Sequence, residues 1–237
     1  MNNLYENFSK VYDLFSSNYD SFIQFIEAAI KEYVQNPKSL LELACGTGNI
    51  LQHFVDKYEV SGLDISAPML KQAKEKLPDV PFYEMNMADF QLNQRYDVVL
   101  CMYDSINYLL DYRDWISTFR CVMNHLNPRG IFIFDMNTQE KLDRLAGWPA
   151  GVQQVGDNYL IVKVTKAERN AVNWNLKVFQ KVKDKLYEFG EDNNKQVAFS
   201  QQKVNEELQT LFRKVEIRTV DDGTNNMRGR VFFVCQA

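Results

Sequence analysis

The chain has no CxxC pair. Cys45, Cys101, Cys121 and Cys235 stand far apart, which argues against a disulfide framework and a thiolate metal site and leaves four small buried side chains as the reading. Only His53 and His125 are available, so a histidine-rich metal site is disfavoured and no metal is expected. There is no excess of positive charge: Lys and Arg total 27 against 31 Asp and Glu, a formal charge of -4, and no global basic field draws the chain to nucleic acid or an anionic membrane. No stretch approaches membrane-spanning length, and MNNLYENFSKVYD has acids and tyrosines where a signal peptide would have an apolar core, so the expected location is cytoplasmic with no membrane partner. No repeat or low-complexity segment points to a solenoid or a tail. The sequence leaves the oligomeric state open.

What is present is core. With 237 residues, 46% of them hydrophobic, the chain can bury a substantial interior and fits one domain with an elaboration, or a domain and a half. Phe22, Ile23, Phe25, Ile26, Ala29, Ile30 and Tyr33 recur at helical spacing over residues 21 to 34, with Ser21 and Gln24 as a capping box. After Asn36-Pro37, SLLELA reads as a short buried strand and NILQHFVDKY as a helix. YEVSGLDIS gives a strand ending at Asp64, followed by a helix over 67 to 77 with Pro68 in its first turn. VPFYEMN and YDVVLCM are strands; a helix over 112 to 125 and the turn NPRG lead into the strand IFIFDMN. Such alternation implies parallel strands with right-handed crossovers.

From about residue 150 the period changes. YLIVKV and AVNWNLKVFQKV alternate, with Val172, Trp174, Leu176 and Val178 on one side, as antiparallel strands with one wet face do. A helix from Ser200 to Phe212 follows, and VEIRTV and RVFFVC form a hairpin across DDGTNN. The expected fold is α/β: a doubly wound, seven-stranded Rossmann-like sheet, last strand antiparallel, with an antiparallel β insertion after the fifth strand. The expected division is a core of residues 1–145 and 199–237 and an insertion of residues 146–198.

Ligands in such sheets bind beyond the carboxyl ends of the strands, where strand order reverses, and LLELACGTGNI sits there. Gly46 and Gly48 let the main chain pass close to a nucleotide-like ligand, or they merely make a tight strand-to-helix connection. A dinucleotide fingerprint wants a third glycine where Leu51 stands, which weakens an NAD or FAD reading. Asp64 at the next strand end either accepts both ribose hydroxyls of an adenosine or is an ordinary charge at a helix N-terminus.

The series ELACGTGN (42 to 49), GLDISAPML (62 to 70), EMNMADF (84 to 90), YDVVLCMYDSINYL (96 to 109) and LNPRGIFIFDMN (126 to 137) resembles the ordered motifs of class I S-adenosylmethionine-dependent methyltransferases, over about residues 5 to 140. The resemblance implies S-adenosyl-L-methionine as cofactor. Ala44, Cys45, Gly46, Thr47 and Gly48 would wrap its methionine part, with Glu42 beneath the ammonium, Asp64 on the ribose, and Ile65 and Met69 on the adenine. Where the family commonly has Asp and an apolar residue after the third strand, this chain has Asn86 and Met87; an amide carbonyl still accepts one bond from the adenine amino group, and Asp89 is an alternative. Cys101 and Met102 would border the cofactor. LYENFSKVYD resembles a tyrosine-bearing lid, with Tyr5 and Tyr12 closing over it or simply pinning the first helix.

Methyl transfer from a sulfonium chiefly requires alignment and exclusion of water, and a general base helps acceptors that carry a proton. Asp104, Asn107 and Tyr108 stand where such families meet substrate, or cap and pack a helix start. Asp104, Asp135 and Asn137 fall near strand ends where catechol-type enzymes place a divalent ion. The insertion offers Trp174 and Tyr187 as one wall of the acceptor pocket. Its run of Lys163, Lys166, Lys177, Lys181, Lys183 and Lys185 reads as a solvated sheet face, with RNA as the alternative acceptor to a small molecule. The rivals are a non-catalytic S-adenosylmethionine-binding module and an NAD-dependent oxidoreductase.

Overall fold

A computed structural model describes residues 5, 7–15, 19–220, 223, 224 and 227–237. Leu4 and Glu6 of LYENFSKVYD, and Asp221, Asp222, Asn225 and Asn226 of DDGTNN, lie outside the described residues. A 3₁₀ turn, Phe8–Val11, runs into a single helical turn α1, Tyr12–Phe15. Helix α2, Asp20–Tyr33, buries Phe22, Ile23, Ile26, Ala29 and Ile30. It begins one residue earlier than expected, with Tyr19 at the N-cap, so Ser21 lies inside the first turn and cannot form the capping box.

Strand β1 (Ser39–Leu43), β2 (Glu59–Asp64), helix α3 (Ala67–Lys76), β3 (Phe82–Glu84), β4 (Tyr96–Cys101), α4 (Tyr112–His125) and β5 (Leu126–Asn137) follow the expected alternation. The helix expected over NILQHFVDKY is absent, and only Leu51–His53 takes a 3₁₀ turn. Asn, His, Phe, Val, Asp and Tyr are all middling or weak helix formers, and burial of Ile50, Leu51 and Phe54 fixes this segment without helical hydrogen bonds throughout. NPRG is absorbed into β5 as an irregularity: Tyr96 pairs with Leu126 and Val98 with Ile131, and Arg129 takes φ +68° to fold the extra residues out.

Helix α5, Gln139–Ala146, was not expected; Thr138 caps it by accepting from Lys141 N. The insertion is a sheet of β6 (Gly151–Val155), β7 (Asn158–Lys166), β8 (Ala171–Lys183) and β9 (Leu186–Val197), paired antiparallel in that order. Helix α6 (Gln201–Leu211), β10 (Lys214–Arg218) and β11 (Arg230–Gln236) end the chain.

The main sheet has the order β10-β11-β5-β4-β1-β2-β3, and β11 alone runs against its neighbours. Order reverses between β1 and β4, so their carboxyl ends open a crevice. Both faces are covered. Trp115, Phe119 and Phe134 pack on one side with Val204 and Leu208 of α6, and Phe22 and Ile26 of α2 pack with Phe54 on the other.

Gly62 in β2 shows how tightly the crevice is floored. A Cβ there would lie 2.7 Å from Cys45 Sγ, 2.8 Å from Phe82 and 2.9 Å from Leu51. Gly62→Ala is expected to destabilise the protein by about 1–3 kcal/mol through overpacking; an unchanged denaturation midpoint would show that these side chains move aside freely.

Candidate functional site

The turn after β1 is built from left-handed residues. Ala44, Gly46 and Gly48 have φ of +50°, +55° and +76°, a conformation that costs glycine little. A Cβ on Gly46 would meet nothing within 4 Å, so the main chain there borders open space; one on Gly48 would press Leu77 at 3.2 Å. Asp64 holds this turn against the next strand: Gly46 N and Ser66 N donate to its two carboxylate oxygens, each at 2.8 Å. Burial raises the Asp64 pKa, while the N–H groups of Ser66, Gly46 and Ile65 pull the other way. Glu42 Oε2 is buried without a hydrogen-bond partner, and burial, then the Asp64 charge, holds the Glu42 carboxyl well above the usual carboxylate range.

These groups border a cavity of about 480 Å³. Of the residues the sequence singled out, Tyr12, Glu42, Ala44, Cys45, Gly46, Thr47, Asp64, Ile65, Met69 and Met87 line it, as do Asp104 and Tyr108. Gly48, Asn86, Cys101 and Asn107 do not. Asn86 Oδ1 accepts from Ala88 N at 3.0 Å, closing its own loop. Cys101 is buried beside Met87 Sδ, 3.9 Å away, and burial pushes its thiol pKa well up. Asn107 is wholly enclosed: its amide donates to Asn137 O and Val197 O and accepts from Asn137 N, tying the loop after β4 to the ends of β5 and β9. Trp174 lines the cavity, whereas Tyr187 is exposed and packs on Tyr159.

The N-terminal segment spans the cavity and is pinned at both ends. Phe8 N donates to Asp192 of β9 at 2.7 Å, and Asp13 accepts from Thr47 Oγ1 at 2.6 Å and Asn49 Nδ2 at 2.9 Å while pairing with Lys76 at 2.6 Å. Tyr5, Phe8 and Tyr12 of this segment face the space. The Tyr5 and Tyr108 hydroxyls touch, and burial raises both pKa values, so both hydroxyls stay protonated at neutral pH.

In the other half of the cavity the sequence pointed to Asp104, Tyr108 and Trp174 but not to the groups that hold them. Arg230, the first residue of β11, ion-pairs with Asp104 at 2.6 Å and with Asp135, and Gln196 Nε2 donates to Asp104 Oδ2 at 2.6 Å. Burial works against the Arg230 charge, but Asp135 and Asp104 hold its pKa above the ordinary value. A guanidinium thus occupies the place between the two carboxylates considered for a divalent ion. Asp135 also accepts from Tyr103 N at 2.6 Å and Asp104 N at 2.9 Å, holding two successive residues at φ +63° and +53°. Such geometry costs roughly 1–3 kcal/mol per residue and collects at functional sites. Lys141 of α5 completes this half, with Trp148 and Gln196. Asp13, Lys141, Gln196 and Arg230 carry no local signature, because each acts on residues distant in the chain.

The buried, partnerless carboxylate oxygen of Glu42, the open flank of Gly46 and the Asp64 carboxylate one strand over fit the ammonium, chain and ribose of S-adenosylmethionine. A family model described as "Methyltransferase domain" matches residues 40–130. The chain is 35% identical over 146 residues to the Bacillus subtilis protein YqeM, covering 59% of this chain and 58% of that one. It is 31% identical over 130 residues to dTDP-3-amino-3,4,6-trideoxy-alpha-D-glucopyranose N,N-dimethyltransferase of Streptomyces venezuelae, covering 53% and 55%. The chain therefore spans little more than half the length of these two relatives. The crystal structure of Streptomyces venezuelae DesVI superposes with a TM-score of 0.83 at 25% identity, covering 97% of this chain and 98% of that one.

Proposed function

We propose that this chain, which belongs to the class I S-adenosylmethionine-dependent methyltransferases, transfers the methyl group of S-adenosyl-L-methionine to a small-molecule acceptor. The observation that carries the reading is the single cavity joining the Glu42, Gly46 and Asp64 groups to a second, acceptor-sized half around Asp104 and Trp174. When bound, the cofactor supplies an electrophilic methyl carbon on a sulfonium. Glu42 would accept from its ammonium, Asp64 from its ribose hydroxyls, and Ile65, Met69 and Met87 would enclose the adenine. Ile65 is 54% exposed, an apolar side chain that a planar base would cover. Tyr5, Phe8 and Tyr12 would exclude water from the reacting centre.

Residues 1–145 and 199–237 would then serve as the cofactor-binding core and residues 146–198 as the acceptor cover, with Trp174, Leu176 and Gln196 as its inner wall. The amino-sugar dimethyltransferase among the relatives makes an amine the first acceptor class to try. Three lysines of the insertion have local partners: Lys163 donates to Trp148 O, Lys166 pairs with Asp143 and Lys181 with Asp157. That supports a solvated sheet face over an RNA track. Among the described residues no helix is long and apolar enough to cross a membrane, and the four thiols are free; a cytoplasmic site of action is part of the same proposal.

Calorimetry with S-adenosylmethionine and S-adenosylhomocysteine is expected to show one-site binding of both, with no response to NAD. Incubation with a dTDP-3-amino sugar should then release S-adenosylhomocysteine. Failure to bind either sulfur compound sinks the proposal, and binding without turnover on any amine or alcohol would favour the binding-module reading.

A further inference from the structure

Among the described residues, buried side-chain atoms without a hydrogen-bond partner occur on Glu42, Tyr96, Asn137, Gln139, Arg144 and Asn194, and of these residues only Glu42 and Asn137 line the cavity. A buried acceptor left without a donor weakens a fold, so each such atom calls for a reason. Glu42 Oε2 lies in the cofactor half. Asn137 Oδ1 belongs to the acceptor half: the residue is 2% exposed, ends β5, and stands directly opposite Arg230 of β11, on the same sheet face as Asp135 two positions before it. Its main chain is held on both sides, Asn137 N donating to Asn107 Oδ1 at 2.9 Å and Asn137 O accepting from Asn107 Nδ2 at 3.1 Å. The polar groups around it satisfy one another. Asp104 accepts from Arg230 and Gln196, Gln196 Oε1 accepts from Trp174 Nε1 at 3.1 Å, and the Tyr108 hydroxyl meets that of Tyr5. None of them turns to Asn137 Oδ1. The cavity is therefore the side from which a donor can reach this oxygen.

We propose that Asn137 determines acceptor specificity, its Oδ1 taking a hydrogen bond from an N–H of the acceptor amine. The assignment rests on the methyltransferase reading and narrows it to acceptors that present a donor at the end of β5, namely primary and secondary amines. An amide suits this task better than an acid. A carboxylate facing the amine would favour its ammonium form, which has no lone pair for the methyl carbon, whereas the uncharged Oδ1 holds the N–H without that bias. A site built around such a bond also rejects analogues without the donor, because they leave the oxygen buried and unpaired.

Two measurements test it. Thermal unfolding of the full chain without ligand compares the native protein with Asn137→Leu, which keeps the approximate size of the side chain and removes its polar atoms. The variant should unfold at the native midpoint or above it, because the oxygen it loses has no partner within the protein. A fall of more than about 3 °C, the shift that a lost hydrogen bond produces in a chain of this size, makes the carboxamide a support of the fold and overturns the proposal. In the second arm both proteins, saturated with S-adenosylhomocysteine, are titrated calorimetrically with a dTDP-3-amino sugar. Asn137→Leu should weaken binding of the sugar by about ten- to a hundredfold, as an N–H left facing an apolar group requires, and keep the S-adenosylhomocysteine affinity within about twofold. A loss of less than about tenfold for the sugar, or an equal loss for both ligands, overturns the assignment; a merely structural role would move the two affinities together. If the native chain binds S-adenosylhomocysteine but not this sugar, the choice of acceptor fails while the unfolding comparison still decides Asn137; if it binds no sulfur compound, the methyltransferase reading fails and the assignment with it.

Discussion

Arg230→Met is expected to lower the unfolding free energy by about 3–5 kcal/mol, the usual cost of removing one partner from a buried ion pair. Arg230, Asp104 and Asp135 are all buried, and Asp135 is fully enclosed, so its carboxylate cannot turn to water when the guanidinium is lost. Asp135 already has a raised pKa with Arg230 present, burial being the largest cause. Without Arg230 the folded-state pKa of Asp135 should rise further above an unfolded value near 3.9. Between those values the folded state binds more protons than the unfolded state, so stability falls as pH rises through that window. The variant should therefore regain part of its loss as pH is lowered from about 7 toward 5. Urea denaturation of both proteins at the two pH values provides the check. A loss below about 1 kcal/mol, or one that does not change with pH, would mean that water or another cation reaches the two acids.

The same triad marks the boundary of what the sequence discloses. The glycine turn, the acidic end of β2 and the alternation of strands and helices are local patterns, and each depends on neighbours within a few residues. Helix α4 therefore falls at its expected limits, Tyr112–His125. Where tertiary burial outweighs local preference the reading fails, as at NILQHFVDKY, whose apolar residues point into the core from irregular backbone. Helix α5 had a cap at Thr138 and an acid at Glu140, but its eight residues include only Leu142, Leu145 and Ala146 as apolar positions, too short a stripe to stand out. Arg230 meets acids 95 and 126 positions away, and Gln196 reaches Asp104 across 92. Nothing near those residues distinguishes them from ordinary strand positions. The half of the cavity that follows a motif was legible, and the half assembled from β9, β11 and α5 was not.

Asp64→Ala is expected to weaken S-adenosylhomocysteine binding by about 3 kcal/mol, roughly a hundredfold, at the upper end for hydrogen bonds to a charged group. Two losses combine. The proposed acceptor of the ribose hydroxyls disappears, and so does the anchor that takes Gly46 N and Ser66 N at 2.8 Å. The turn is then free to leave the conformation that brings its main chain to the ligand, and affinity falls by the population of competent turn. Asp64→Asn separates this account from a simple loss of charge. An amide has one oxygen, so one of the two backbone N–H groups would face an NH₂ donor. Asparagine should therefore cost nearly as much as alanine, whereas a carboxylate acting only as a diffuse negative charge would leave asparagine intermediate. Calorimetry on the three proteins, with thermal unfolding run alongside to show that each is folded, measures the difference. Affinities within about twofold of the native chain in both variants would remove Asp64 from the cofactor site and, with it, the reading of the adjoining cavity.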